Sequence, residues 1–211
     1  MMIKFLALQH NCKNVLAQTP KNVRLIAASK TRTLAEVRAA FQAGITHFGE
    51  NYVQEGTQKA AQLPEATWHF IGKLQTNKAN QAVEFFAVFH TVDTLKLLNK
   101  LDHAAAKLGK TPEIYIQVNI AHEAQKAGCS IAELPDLIKA AKHAKHLKLV
   151  GLMTLPPQNQ DPAPYFKTLA NLAANHGLKR LSMGTSGDWQ HATAHGATDI
   201  RLGEAIFGQR K

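Results

Sequence analysis

The stretch Arg24-Leu-Ile-Ala-Ala-Ser-Lys-Thr-Arg-Thr-Leu-Ala-Glu36 carries an apolar run straight into a helix start. Arg24 to Ala28 reads as a short buried strand. Thr33-Leu-Ala-Glu36 is a capping-box pattern, in which hydroxyl and carboxylate each satisfy the other residue's backbone N–H. Leu34, Val37 and Phe41 then fall on one helical face. A strand that feeds directly into an amphipathic helix is the repeating unit of a parallel sheet.

The same alternation recurs along the whole chain. Candidate strands are Arg24–Ala28, Thr46–Phe48, Trp68–Ile71, Ala87–Val92, Ile114–Ile120, Lys148–Met153, Arg180–Met183 and Asp199–Leu202. Helix ends lie between them. Ser130-Ile-Ala-Glu133 is a second capping box, before Leu134, Leu137, Ile138 and Ala141. Asp161-Pro162 fits an N-cap followed by proline in the first turn, and Gly177 closes that helix. Leu95, Leu98, Leu101, Ala105 and Leu108 form another apolar stripe that ends at Gly109. Eight strands alternating with helices predict a single (β/α)8 TIM barrel over residues 1–211. The doubly wound sheet is disfavoured, because no G-x-G-x-x-G follows the first strand and no Walker-type loop occurs. The residues before Arg24 predict one extra N-terminal helix outside the repeat.

Composition agrees with one domain. The chain has 211 residues, 45% of them hydrophobic, and no Pro/Gly/Ser-rich linker divides it. The apolar patch at the amino terminus ends at Gln9, too early for a secretory segment, and nothing later is long enough to span a membrane. Cys12 and Cys129 stand far apart with no metal-like spacing. The expectation is a soluble, reduced, cytoplasmic protein. Its net charge of +10 favours anionic partners by long-range attraction. The basic residues are scattered, however. The densest group, Lys139, Lys142, His143, Lys145, His146 and Lys148, reads as a solvated helix face without interleaved aromatics, so nucleic-acid binding is not expected.

In a barrel, chemistry gathers at the carboxyl ends of the strands. Lys30 sits there after the first strand. Partial desolvation at such a mouth favours the neutral amine, the form that attacks an aldehyde; the plain alternative is a solvated turn lysine. Glu50, Asn51 and Tyr52 follow the second strand, Gly72, Gln75, Asn77 and Lys78 the third, and Asn119 the fifth. Thr154 follows the sixth. Gly184-Thr-Ser-Gly187 and Gly203-Glu-Ala205 follow the last two, where barrels commonly hold phosphate on exposed backbone N–H groups. Glu204 is awkward beside an anion unless its carboxylate turns outward. Arg201, at the end of a buried strand, needs an acceptor because it keeps its proton. The histidines, including His47, His69 and His90, lack metal-ligand spacing and read as surface or satisfied core residues.

Taken together, Ala28-Ser-Lys-Thr31, His47-Phe-Gly-Glu-Asn-Tyr52, Trp68-His-Phe-Ile-Gly72, Leu74-Gln-Thr-Asn-Lys78, Ile116-Gln-Val-Asn-Ile120, Gly151-Leu-Met153, Leu181-Ser-Met-Gly184 and Arg201-Leu-Gly-Glu-Ala-Ile-Phe-Gly208 resemble the YggS/PROSC family. These are pyridoxal-phosphate homeostasis proteins, related to the barrel domain of alanine racemases. The resemblance implies a type III barrel that holds pyridoxal 5′-phosphate as a Schiff base on Lys30. It implies that Arg201 faces the pyridine nitrogen, that Ser186 and the backbone of Gly203 and Glu204 hold the phosphate, and that Asn51 lies near the ring. Lys126 matches a family lysine in secondary cofactor contact. Thr185 stands where the family usually has Met, Arg32 where it often has Lys, and Glu204 where a small hydroxyl residue is common. The N-terminal helix region is also shorter than usual.

Two functions follow. One is a monomeric carrier that stores, buffers or delivers the cofactor, with apo-enzymes as recipients. The other is an amino-acid racemase. Arginine opposite the ring nitrogen makes the ring a weaker electron sink, and racemisation needs an acid/base group on each face of the substrate. In alanine racemases a tyrosine from a second, mostly β domain supplies one of these. The chain stops at Lys211 without such a domain, and none of Tyr52, Tyr115 and Tyr165 has a compelling claim to the role. The carrier is the preferred expectation.

Overall fold

The computed structural model describes residues 2–123 and 125–209. Eight strands, β1 (Arg24–Ala28), β2 (His47–Glu50), β3 (Thr67–Phe70), β4 (Val88–Val92), β5 (Glu113–Gln117), β6 (Lys148–Met153), β7 (Arg180–Ser182) and β8 (Asp199–Leu202), close in sequence order into a parallel barrel. Pairing of β1 with β8, from Arg24 against Asp199 to Ala27 against Leu202, completes the ring. The helices are α1 (Met2–Gln18), α2 (Leu34–Gln42), α3 (Val53–Gln62), α4 (Ala79–Phe85), α5 (Leu95–Leu108), α6 (Leu134–His143), α7 (Ala163–Asn175), α8 (Trp189–Ala194) and α9 (Glu204–Phe207). The barrel and the extra N-terminal helix are as the sequence predicts. Helix α1 buries Leu8, Cys12 and Val15, and Asn11 Nδ2 donates to Ile206 O beside α9.

Most helix signals act where the sequence puts them; at α7 the cap position is Pro162 rather than Asp161, whose Oδ1 instead accepts from Ala163 N. Thr33 and Glu36 form the complete capping box of α2, and Gly109, with φ at 62°, caps α5. Ser130 and Glu133 exchange the same pair of bonds, but they close a turn ahead of α6 rather than its first residue. The basic group is not one helix face: α6 ends at His143, and Lys145 and Lys148 lie beyond it, although all four lysines are exposed. Strand ends differ where an apolar run and the ladder disagree. β2 extends past Phe48 to Glu50, because Gly49 and Glu50 pair with His69 and Phe70. β5 ends at Gln117, and Val118 instead bridges Cys129 in the returning loop.

Alternation along the strands sorts side chains between two layers. Phe48, Trp68, Phe70, Phe89, Ile114, Ile116, Ile200 and Leu202 belong to the large apolar core. Their neighbours turn into the barrel, where Val88, Tyr115 and Met153 form a separate small cluster. Tyr115 stacks on His90 with ring centroids 4.5 Å apart. His69, His90, Ser182, Asp199 and Arg201 are likewise buried. The interior is thus largely polar, and each polar group must find its partner within it.

Candidate functional site at the carboxyl end of the barrel

Lys30 is half-buried, immediately after β1, and both of its neighbours are clamped. Lys59 Nζ, on α3, donates to Ser29 O, to Glu50 Oε1 and to Glu55 Oε1, each at 2.7 Å. Ser29 Oγ also donates to Glu50 Oε1 at 2.7 Å. On the other side of Lys30, Thr31 N donates to Glu55 Oε1 at 2.6 Å. Thr31 has φ at 64°, a left-handed conformation that a β-branched residue adopts only under external restraint. Glu50 is completely buried, and that burial pushes its carboxyl above the usual range against the pull of Lys59. This ionic clamp holds the backbone on both sides of Lys30.

Lys30 shares a cavity of about 350 Å³ with Ala28, Arg32, Gly203, Glu204, Gly208 and Gln209. That volume lies in the range of small-molecule sites. At the Gly203 side of this cavity Ser186 Oγ accepts from the N–H groups of Gly203 and Ala205, both at 3.2 Å, so a hydroxyl and two amides converge at the start of α9. The preceding loop depends on Gly184. It has φ at +97°, and a Cβ there would lie 2.7 Å from Ala192 Cβ. Thr185 N and Oγ1 both donate to Asp188 Oδ1, which locks the turn that presents Ser186. Glu204 is exposed.

Arg201 is 5% exposed, and among the described residues its guanidinium bonds to neutral oxygens: Nη1 donates to Ser182 Oγ at 2.5 Å and Nη2 to Thr154 O at 3.1 Å. Loss of solvent lowers its pKa to about 10, so it remains a cation at neutral pH. Asn51 follows β2, where its Oδ1 is buried and accepts no hydrogen bond among the described residues. Its backbone is pressed against Gly72, where any Cβ would collide with Asn51 O. A half-buried lysine, a convergence of N–H donors, a buried cation without a carboxylate and an orphaned amide oxygen fit the donor and acceptor set of an aldehyde-bearing heteroaromatic phosphate.

Of the residues singled out in the sequence, Lys30, Gly203 and Glu204 line one cavity, and Ser186 is bonded into it. The amide that joins Gly203 on Ser186 belongs to Ala205 rather than Glu204. Lys126 is not brought to this cavity. Its ammonium is held by Pro156 O at 2.9 Å and by Glu123, beside a separate recess of about 560 Å³ next to Thr185 and Asp188. Gln75, Asn77 and Lys78 are exposed. The Lys59 and Glu55 clamp was missed, since a Glu–Lys pair at i, i+4 reads as an ordinary surface helix pair. A larger recess, about 630 Å³, opens at the opposite end of the barrel beside Arg24, His47 and Arg180.

Known proteins share this arrangement over nearly its full length. The family described as alanine racemase, N-terminal domain, matches residues 3–211. The pyridoxal phosphate homeostasis protein of Synechocystis sp. is 40% identical over 208 residues, which cover 93% of this chain and 95% of that protein. Its Escherichia coli K12 counterpart is 38% identical over 207 residues, covering 92% and 88%. PipY of Synechococcus elongatus PCC7942, solved with PLP bound, aligns with a TM-score of 0.90 at 37% identity, covering 95% of this chain and 100% of that one. An alanine racemase from Streptomyces lavendulae has a TM-score of 0.83 at 18% identity over 98% of this chain and 58% of its own, a likeness of fold. The chain therefore belongs to the alanine racemase N-terminal domain family and, within it, to the pyridoxal phosphate homeostasis proteins.

Proposed function

We propose that this protein binds pyridoxal 5′-phosphate and serves its homeostasis by storing, buffering or delivering it, with apo forms of dependent enzymes as recipients. The observation that carries this reading is the single cavity shared by Lys30 and the amide-bearing turn at Gly203. The named relatives and the PLP-bound PipY point the same way. Bound there, the cofactor supplies an aldehyde open to amines and a ring that withdraws electrons.

The chain's own residues divide the work. Lys30 Nζ would be the amine that condenses with the aldehyde, releasing water, and the clamp on Ser29 and Thr31 fixes the origin of its side chain. Ser186 Oγ with the N–H groups of Gly203 and Ala205 holds the phosphate, while the exposed Glu204 keeps its carboxylate in solvent. Arg201 would donate to the ring nitrogen. Being itself a cation, it keeps that nitrogen unprotonated and the ring a weak electron sink. Asn51 Oδ1 accepts from the ring substituents. Such a site retains its cofactor without driving chemistry on amino acids.

A racemase would need a second acid/base group across the substrate. Tyr115 is not free for this role, since its hydroxyl is fully buried and donates to Asp199 Oδ2 at 2.6 Å. Tyr165 donates to Gln160 at 2.7 Å on an outer helix. Among the described residues no helix is long and apolar enough to cross a membrane.

The purified protein is expected to be yellow, and Lys30→Ala to lose the visible band. An unchanged spectrum would overturn the role of Lys30. Incubation with single-enantiomer alanine followed by chiral separation tests the carrier assignment, which turnover at ordinary enzymatic rates would reverse.

A further inference from the structure

Three histidines on neighbouring strands stand in file inside the barrel. His47 Nδ1 lies 3.0 Å from His69 Nε2, and His69 Nδ1 lies 2.9 Å from His90 Nε2. His90 Nδ1 lies 2.7 Å from Ser182 Oγ, the oxygen that accepts from Arg201 Nη1. His47 lines the recess at the amino-terminal end. The file therefore joins one end of the barrel to the guanidinium at the other.

Its direction follows from chemistry at the arginine end. A guanidinium only donates, so Ser182 Oγ accepts from Arg201 and must place its own hydrogen elsewhere. Among the described residues the acceptor within reach is His90 Nδ1. His90 then carries its proton on Nε2 and donates to His69 Nδ1. His69 in turn donates from Nε2 to His47 Nδ1, and His47 keeps an Nε2–H for the solvent side. The opposite order would bury the Ser182 hydroxyl hydrogen without an acceptor.

The file is neutral, as this order requires. Burial, reinforced by the positive charges of the surrounding arginines, holds His69 and His90 well below the ordinary histidine value. Burial and the nearby Arg24 lower His47 to about 4. Stacking on Tyr115, itself bonded to Asp199, fixes the plane of His90. With Nη1 tied to Ser182 and Nη2 to Thr154 O, the plane of the guanidinium is set, and so is the direction of its remaining donors.

We propose that His90, acting through Ser182, is a positioning residue for Arg201, and that His47, His69 and His90 form one directional hydrogen-bonded chain that keeps Ser182 as the acceptor of the guanidinium. The functional half rests on the cofactor assignment above, because Arg201 is the group given to the ring nitrogen. The directional half does not depend on it.

Two measurements on the full chain test the two halves separately. Nitrogen-15 NMR of histidine-labelled protein, with and without added pyridoxal 5′-phosphate, should show His47, His69 and His90 neutral at pH 7, each with a pyrrole-type Nε2 and a pyridine-type Nδ1. Any of the three protonated on Nδ1 overturns the directional chain, whether or not cofactor binds. For positioning, Ser182→Ala and His90→Leu should shift the visible band and release cofactor roughly tenfold faster, the change worth one oriented charge-assisted bond. His90→Asn, whose Oδ1 can accept the Ser182 hydrogen in place of Nδ1, should restore both. A folded His90→Leu protein, judged by unchanged circular dichroism, that keeps the wild-type band and release rate overturns the positioning role; should it not fold, the same result in Ser182→Ala does so. Wild-type protein that takes up no cofactor refutes the cofactor assignment and with it the functional half, while the NMR result still decides the directional chain.

Discussion

Arg180 and Arg201 are the same side chain at opposite ends of one barrel, and they are solvated in opposite ways. Arg180 opens β7 and donates to Glu113 Oε2 at 2.7 Å and to Asp199 Oδ1 at 2.8 Å. Arg24 lies 3.5 Å from Asp199 and 3.8 Å from Glu113, so Arg24, Asp199, Arg180 and Glu113 form a closed ring of alternating charge at the amino-terminal rim, with Lys148 attached 3.1 Å from Glu113. Arg201, two residues along β8 from Asp199, has a hydroxyl and a carbonyl and no carboxylate within ion-pair distance among the described residues. Burial lowers both arginines, but the charges of Asp199 and Glu113 more than restore Arg180. Where a cation is neutralised within the fold it closes the structure. Where its partners are neutral, its field remains for a ligand.

Three experiments break or sharpen this contrast. The largest effect is expected for Arg180→Met. It leaves the wholly buried Asp199 short of its main cation and should cost about 3 kcal/mol, the low end for a broken buried pair, because Tyr115 and Thr198 still donate to Asp199. The urea midpoint at unchanged slope measures it. Acid comes next, acting on His47 at the same end. Its folded value of about 4 lies below the ordinary 6.5. Between those values the unfolded chain binds a proton that the folded chain refuses, so stability falls as pH drops from about 6.5 to about 4 and is flat above. Discounted for partial exposure, the loss is on the order of 1–2 kcal/mol. Thermal midpoints across that range should slope downward in the wild type and less so in His47→Gln; equal slopes would remove His47 from the account. Arg201→Met should change stability least, by less than about 1 kcal/mol, since the partners left behind are neutral and Ser182 keeps His90. Dialysis should nevertheless show faster cofactor loss from that variant. Should Arg201→Met destabilise as much as Arg180→Met, the contrast between the two ends is wrong.

What was legible in the sequence divides along a physical line. Apolar runs and caps report local preferences, and they located all eight strands and the capped helices. Gly49 and Glu50 were left outside β2 because neither is strand-forming by itself, whereas ladder partners on β3 hold them there. That Lys30, Gly203 and Glu204 share one cavity was legible because strand ends in a barrel converge. The ionic clamp was not, since Glu55 and Lys59 earn their role only when α3 packs against the end of β1. The polar interior left a faint trace in the strand patterns Trp68-His-Phe70 and Phe89-His-Thr91, where a histidine interrupts apolar or β-forming neighbours at the alternate position. Placement of Lys126 depends on the fold of the β5–α6 connection, and no local signal encodes that.

The clamp around Lys30 also bears on how cargo leaves. With Ser29 and Thr31 anchored to α3, the peptide segment between them is a stationary mount for the lysine arm. Release of a cofactor held on Lys30, as proposed above, would then require no movement of the flanking backbone.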